Sequence, residues 1–193
     1  MRCATQEVMM NREQTLELLR RHVKNENMVR HCLAAEAVMR ALAARFGEDA
    51  EKWGLAGLIH DVDVELTAGD AARHTLEAEK ILRDHGCAPE IVEAVMMHNE
   101  AASLKKREDR FHKALAAGET ITGLITATAL VYPDRKLDGV KASSVLKRMK
   151  DKRFAASVDR KVILECEQIG VPLPEFVDLA LTAMRGISEQ LGM

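Results

Sequence analysis

An all-α fold, laid out as a single domain over residues 1–193, is predicted by three observations on the sequence. Aromatic residues make up only 3% of the chain. Ala, Leu, Glu, Lys, Arg and Met are abundant instead, and straight-chain residues of this kind keep most of their rotamer freedom in a helix. Apolar residues recur at spacings of three and four, whereas the alternation of a half-buried strand is almost absent. A length of 193 residues suits roughly one domain, and a hydrophobic fraction of 47% supplies its core without disulfide staples.

Asn11 and Gln14 form a capping pair for a first helix over 12–24, with Leu16, Leu19 and Val23 on one face. A longer helix over 26–46 carries Met28, Cys32, Ala35, Met39 and Leu42 on one stripe and stops at Gly47. The third, over 49–60, is apolar from Leu55 to Ile59 and breaks off at His60 and Asp61. Thr75 to Asp84 makes a helix closed by Gly86, and Pro89 opens the next, over 89–99. The charged run 105–110, KKREDR, reads as a solvated connection. Residues 119–131, ETITGLITATALV, form an apolar helix ended by Pro133; β-branching would permit a strand there, but nothing nearby could pair with it. Helical patterns over 141–150, 159–169 and 174–191 follow, with stops at Gly170, Pro172 and Pro174. No internal repeat or low-complexity linker divides the chain.

Twenty-eight Lys and Arg against 30 Asp and Glu give a net charge of -2, which argues against dedicated nucleic-acid binding. No run reaches the ~18 apolar residues of a membrane span, and MRCATQEVMM lacks the apolar stretch of a secretory signal. A cytoplasmic protein with no membrane partner is expected. Cys3, Cys32, Cys87 and Cys166 are scattered without a C-x-x-C pair and read as reduced, mostly buried thiols.

The chemistry lies in the placing of histidines and carboxylates. His60 and Asp61 close a strongly apolar helix, where a charged carboxylate beside an imidazole is costly unless something pairs with it. A divalent cation is the simplest partner. His31, in mid-helix beside a buried stripe, supplies a nitrogen from a second helix, and Glu119, opening the ETITGLI helix, an anionic oxygen from a third. Two nitrogens and two oxygens suit Mn, Fe, Co, Ni or Zn. Four such ligands on an octahedral ion leave two positions for water or substrate.

With these positions in order, the sequence resembles the HD-domain superfamily of metal-dependent phosphohydrolases, whose pattern is a helical His, then His-Asp, then a distant Asp. The motifs NMVRHCLA, GLAGLIHDVD, HTLEAEKIL, VMMHNE and GETITGLI carry the resemblance from His31 to Glu119, and KASSVLKRMKDKRFA is similar to the tail of small stand-alone bacterial members. The resemblance implies a helical bundle with a metal-site core over about 26–131 and a C-terminal helical extension over 132–193. It also implies a second ion held by His74 and His98, with Asp61 as the bridge. Thr75 stands where two-metal members have Pro, and Asn99 where they have a second His. Glu119 stands where most members have Asp; it is longer by one methylene, about 1.5 Å, and is expected to reach the ion from a backbone set further back.

The implied activity is hydrolysis of a phosphate ester or anhydride, a nucleotide among the candidates, by metal-activated water. His60 and Asp61 are the expected catalytic residues, and one or two divalent transition-metal ions the cofactor. Arg30 and Arg73, each preceding an expected ligand, are the candidate cations for the substrate phosphate. Two other readings share these residues. One is a di-iron oxygenase with the same six-ligand pattern; the other is a non-catalytic metal or nucleotide sensor, which finds no second domain here to receive its signal.

Several residues read more plainly. His22, His85 and His112 sit on polar patterns and should be solvated. Asp63, Glu77 and Glu100 read as surface charges or as partners of the ligands rather than ligands. Met28, Met39, Met96 and Met97 fill core, and Lys141, Lys147, Arg148, Lys150, Lys152 and Arg153 form a solvated face opposite Val145, Leu146 and Met149.

Overall fold

The computed structural model describes residues 10–193, and no strand occurs among them. The first helix, α1 (Arg12–His22), opens in the expected capping box: the Asn11 side chain accepts from the Gln14 amide, and the Gln14 side chain from the Asn11 amide. There follow α2 (Glu26–Phe46), α3 (Ala50–Ile59), α4 (Val64–Thr67), α5 (Leu76–Asp84), α6 (Pro89–His98), α7 (Glu100–Ser103) and α8 (Arg110–Leu130). The remainder forms α9 (Ala142–Lys150), α10 (Arg160–Ile163), α11 (Glu165–Gln168), α12 (Leu173–Arg185) and α13 (Ser188–Leu191). None of the described helices is long and apolar enough to cross a membrane.

Two helices of 21 residues, α2 and α8, form the axis, each about 30 Å long. They pack on each other through Val38, Met39 and Leu42 against Leu115, Ile121 and Leu124, all fully buried. Helix α3 lies along α2, α6 along α8, and α12 touches both. The apolar faces therefore meet in one core while the polar faces stay wet. Glu36, buried on α2, is satisfied by a two-pronged bond from Arg12 at 2.7 and 2.9 Å and by Arg40 at 2.9 Å, so a charge below the surface does not stand alone.

Three expectations change. The helix assigned to 119–131 starts at Arg110, so Glu119 sits in its middle rather than at its head. The small residues Ala114, Ala116, Ala117 and Gly118 hid the first half, because they show little hydrophobic contrast although all are buried. At Gly118 the smallness is needed: a Cβ there would stand 3.2 Å from the Met39 sulfur. The pattern over 159–169 splits into α10 and α11, and that over 174–191 into α12 and α13. His112, expected to be solvated, is only 9% exposed. Among the described cysteines, Cys32 and Cys166 are buried and Cys87 half-buried, all free; Cys3 lies outside the described residues.

Where α2 and α3 cross, Gly57 brings two backbones together. A Cβ on Gly57 would lie 2.7 Å from the carbonyl oxygen of Ala35 and 2.9 Å from the amide nitrogen of Glu36. Backbone cannot step aside as a flexible side chain can, so Gly57→Ala should separate the helices and cost about 1–3 kcal/mol of stability. Urea unfolding checks this; a midpoint equal to that of the parent would show that the crossing yields.

Candidate metal centre

Five segments converge on one point. His31 comes from α2, His60 and Asp61 directly follow α3, His74 precedes α5, His98 ends α6, and Glu119 projects from mid-α8. Their donor atoms fall into two triads, His31 with His60 and Glu119, and Asp61 with His74 and His98, the atoms of each lying within 4.8 Å of one another. Asp61 joins them. Its Oδ2 lies 3.6 Å from His31 Nε2 and 3.4 Å from His60 Nε2, while its Oδ1 lies 3.3 Å from His74 Nε2 and 3.6 Å from His98 Nε2. Glu119 Oε2 reaches within 3.7 Å of His31 Nε2, so the longer carboxylate arrives at the cluster.

All four imidazoles are held by the nitrogen that faces away. His60 Nδ1 donates to the Gly57 carbonyl at 2.8 Å and His98 Nδ1 to the Val95 carbonyl at 2.6 Å. His74 Nδ1 meets Asp63 Oδ1 at 2.7 Å, and His31 Nδ1 meets Thr122 Oγ1 at 2.9 Å. The Thr122 hydroxyl spends its own proton on the Glu119 carbonyl at 2.7 Å and is left to accept from His31. Such partners fix the tautomer with its lone pair on Nε2, where a metal can use it.

The donor set fits a cation. The Nε2 atoms of His31 and His60 face each other at 3.1 Å, and those of His74 and His98 also at 3.1 Å. With both Nδ1 atoms protonated and neither Nε2, each pair sets two lone pairs opposite one another, which is repulsive unless a proton or a metal cation lies between. Two ligands about 2.1 Å from an ion, at right angles, stand about 3.0 Å apart. Imidazole with carboxylate is the ligand type of Zn, Fe, Co, Ni and Mn.

Proton affinities follow from the same crowding. Burial, with His60 beside it, lowers His31 to about 4. Burial also lowers His98. For His74 burial works in the same direction, but its bonds to Asp61 and Asp63 outweigh it and raise the group to about 10. In His60, burial is likewise overcome by the charge and hydrogen bond of Asp61, which raise it. Asp61 itself is held well below its ordinary value: burial opposes ionisation, and the neighbouring imidazoles, His60 first, overcome it. Glu119, with 19% of its side chain exposed, is raised to about 7 by burial.

The order of these residues along the chain and their meeting in space match one known pattern. A family model for the HD domain matches residues 28–129, more than half of the chain. The chain belongs to the HD domain family. The match takes in every residue of the cluster, from His31 on α2 to Glu119 on α8. No curated protein and no solved structure matches this HD domain.

Around the cluster, the sequence is legible for some residues and silent for others. Arg30 lines a cleft that also contains His31. Arg73 turns the other way, 3.4 Å from Glu77 on the outer face of α5, and lines neither of the two clefts that reach the cluster. Of the two readings of Asp63, surface charge or partner of a ligand, the structure shows the second. Asp63 is fully buried, and besides His74 it accepts from the amides of Thr75 at 2.8 Å and Ala78 at 2.9 Å. Those bonds hold Thr75 in a left-handed conformation, φ 81, that a β-branched residue seldom adopts. Asp63→Asn should therefore weaken metal binding by the His74 triad about 10- to 100-fold, read by competition with a chelating dye. Unchanged affinity would show that the imidazole needs no orienting carboxylate.

Two further residues escaped the sequence reading. Thr122 follows Glu119 by three positions, one helical turn, and that spacing was its only signal. Arg107 lay hidden in the charged run KKREDR, yet it is 7% exposed and grips the end of α6 by donating to the carbonyls of Met97 and His98 at 3.0 Å each. Its other nitrogens reach Glu165 of α11 at 2.7 and 2.8 Å.

Proposed function

We propose that this chain is a metal-dependent phosphohydrolase that cleaves a phosphate ester or anhydride at a two-ion site. His31, His60 and Glu119 would hold one ion, and Asp61, His74 and His98 the other. The observation that carries the reading is the pair of Nε2-to-Nε2 approaches of 3.1 Å on either side of the Asp61 carboxylate. When bound, divalent cations neutralise phosphoryl charge and acidify a water molecule for in-line attack.

The chain's own residues supply position and access. A cleft of about 330 Å³ opens onto His31, His98 and Glu119 and is lined by Thr120, Ser157 and Asp159. The Ser157 hydroxyl can donate to a phosphoryl oxygen, while the Thr120 hydroxyl is spent on Glu119 Oε1. Among the described residues no lysine or arginine lines the cleft. Helices α9 to α12 pack on α8 or α2, which supports reading residues 26–131 and 132–193 as one working unit.

The test is a panel of nucleotides and simple phosphate esters, each with Mn, Co, Ni or Mg added to metal-stripped protein. Metal-dependent phosphate release is expected. Its absence throughout, together with bound iron and oxygen uptake, would move the chain to the oxygenase reading; metal binding without either reaction would leave the sensor.

A further inference from the structure

Resting on the phosphohydrolase reading, we infer that the substrate joins its phosphate to an apolar group, and that this group lies in the cleft between α2, α8 and the segment Leu191–Met193. The cleft has a volume of about 620 Å³ and shares His31 and Gly123 with the polar opening over the cluster. One ligand can therefore occupy both. Met28, Ala34, Ala127, Leu130, Leu191 and Met193 give it an apolar wall. Leu130 is 52% exposed at its edge. Among the described residues no acidic side chain lines it, and Arg30 is its one cationic side chain, with the guanidinium set against Gly192.

The two spaces differ in proportion. The polar opening has the Ser157 hydroxyl and the residues of the cluster for a phosphate, while the wall of the adjoining cleft is mainly hydrocarbon, with Asn27, Arg30, His31 and Thr126 as its polar side chains. A volume of this size suits a small molecule and is modest for a partner helix. Gly123 sits where the two spaces meet, and a Cβ there would already stand 3.4 Å from Val158. The absence of a side chain leaves the passage between them open.

Binding of n-alkylphosphonates from methyl to octyl, measured by calorimetry on metal-loaded protein, tests the assignment without relying on turnover. Affinity should rise about three- to fourfold per methylene over the first several carbons. Ala127→Phe, which fills the cleft, and Leu130→Asp, at an exposed position that folding does not depend on, should each flatten this dependence. In turnover, the ratio of kcat/KM for octyl phosphate over glycerol phosphate should fall at least about tenfold in either variant. No chain-length dependence in the parent would overturn the assignment, as would a dependence that both variants retain. Chain-length-dependent binding with no phosphate released from any ester would remove the phosphohydrolase reading and leave the cleft as an apolar ligand site.

Discussion

Asp61→Asn is expected to lose metal and activity together, by the largest margin of any single change. The side chain keeps its size, so the fold should survive; what goes is the negative charge that faces four imidazole nitrogens at 3.3 to 3.6 Å. One oxygen serves each triad, and an amide offers one neutral oxygen in place of two charged ones. Neither ion should then be held: the parent takes up two equivalents, the variant less than one, and kcat/KM falls at least about 1000-fold. Elemental counting beside a phosphate-release assay reads both. Full metal content in a dead variant would make Asp61 a participant in the reaction alone, and full metal with full activity would remove it from the site.

The second large effect is on pH. An ion must find unprotonated Nε2 atoms and ionised carboxylates. His74, raised to about 10 by Asp61 and Asp63 against the pull of burial, carries a proton throughout pH 6 to 8, so binding there releases it. Each released proton weakens affinity tenfold per pH unit of acidification. Glu119, raised to about 7 by burial, adds a second proton below neutrality. Apparent Kd should thus rise about 100-fold or more between pH 8 and pH 6, with proton release visible in weakly buffered solution. His31, lowered to about 4, adds nothing in that window. A flat profile would take these imidazoles out of the ligand set.

Stability of the metal-stripped protein should move the other way. The folded-state pKa of His74 lies above its ordinary 6.5, so its contribution is complete below 6.5 and is lost as pH climbs towards about 10. Above pH 7 the buried, already charged Glu119 adds no further change. Tm should therefore decline between pH 7 and 9 with chelator present, and a Tm that rises over that range would contradict the His74 contacts.

How much of this the sequence disclosed depends on the kind of signal each residue leaves. The end of α2 was legible because Gly47, read as its stop, adopts a left-handed conformation there. His60 and Asp61 were legible because a His-Asp step in an apolar run contradicts its surroundings, whereas His74 and His98 were reached only through the family resemblance. The head of α8 was not: alanines and glycine pack closely against α2 but leave no apolar period to count. Arg107 was obscured for a related reason. It is a charged residue among charged residues, and only the fold shows that it is enclosed by two carbonyls and a carboxylate, just as only the fold decides that Asp63 is a ligand's partner rather than a surface charge.

The grip of Arg107 on α6 also sets a mechanical link. One guanidinium spans the turn that ends in His98 and the carboxylate of Glu165, well beyond the residues that supply donors to the cluster. Through it α11, which has no donor of its own in the cluster, anchors the end of the helix that carries His98.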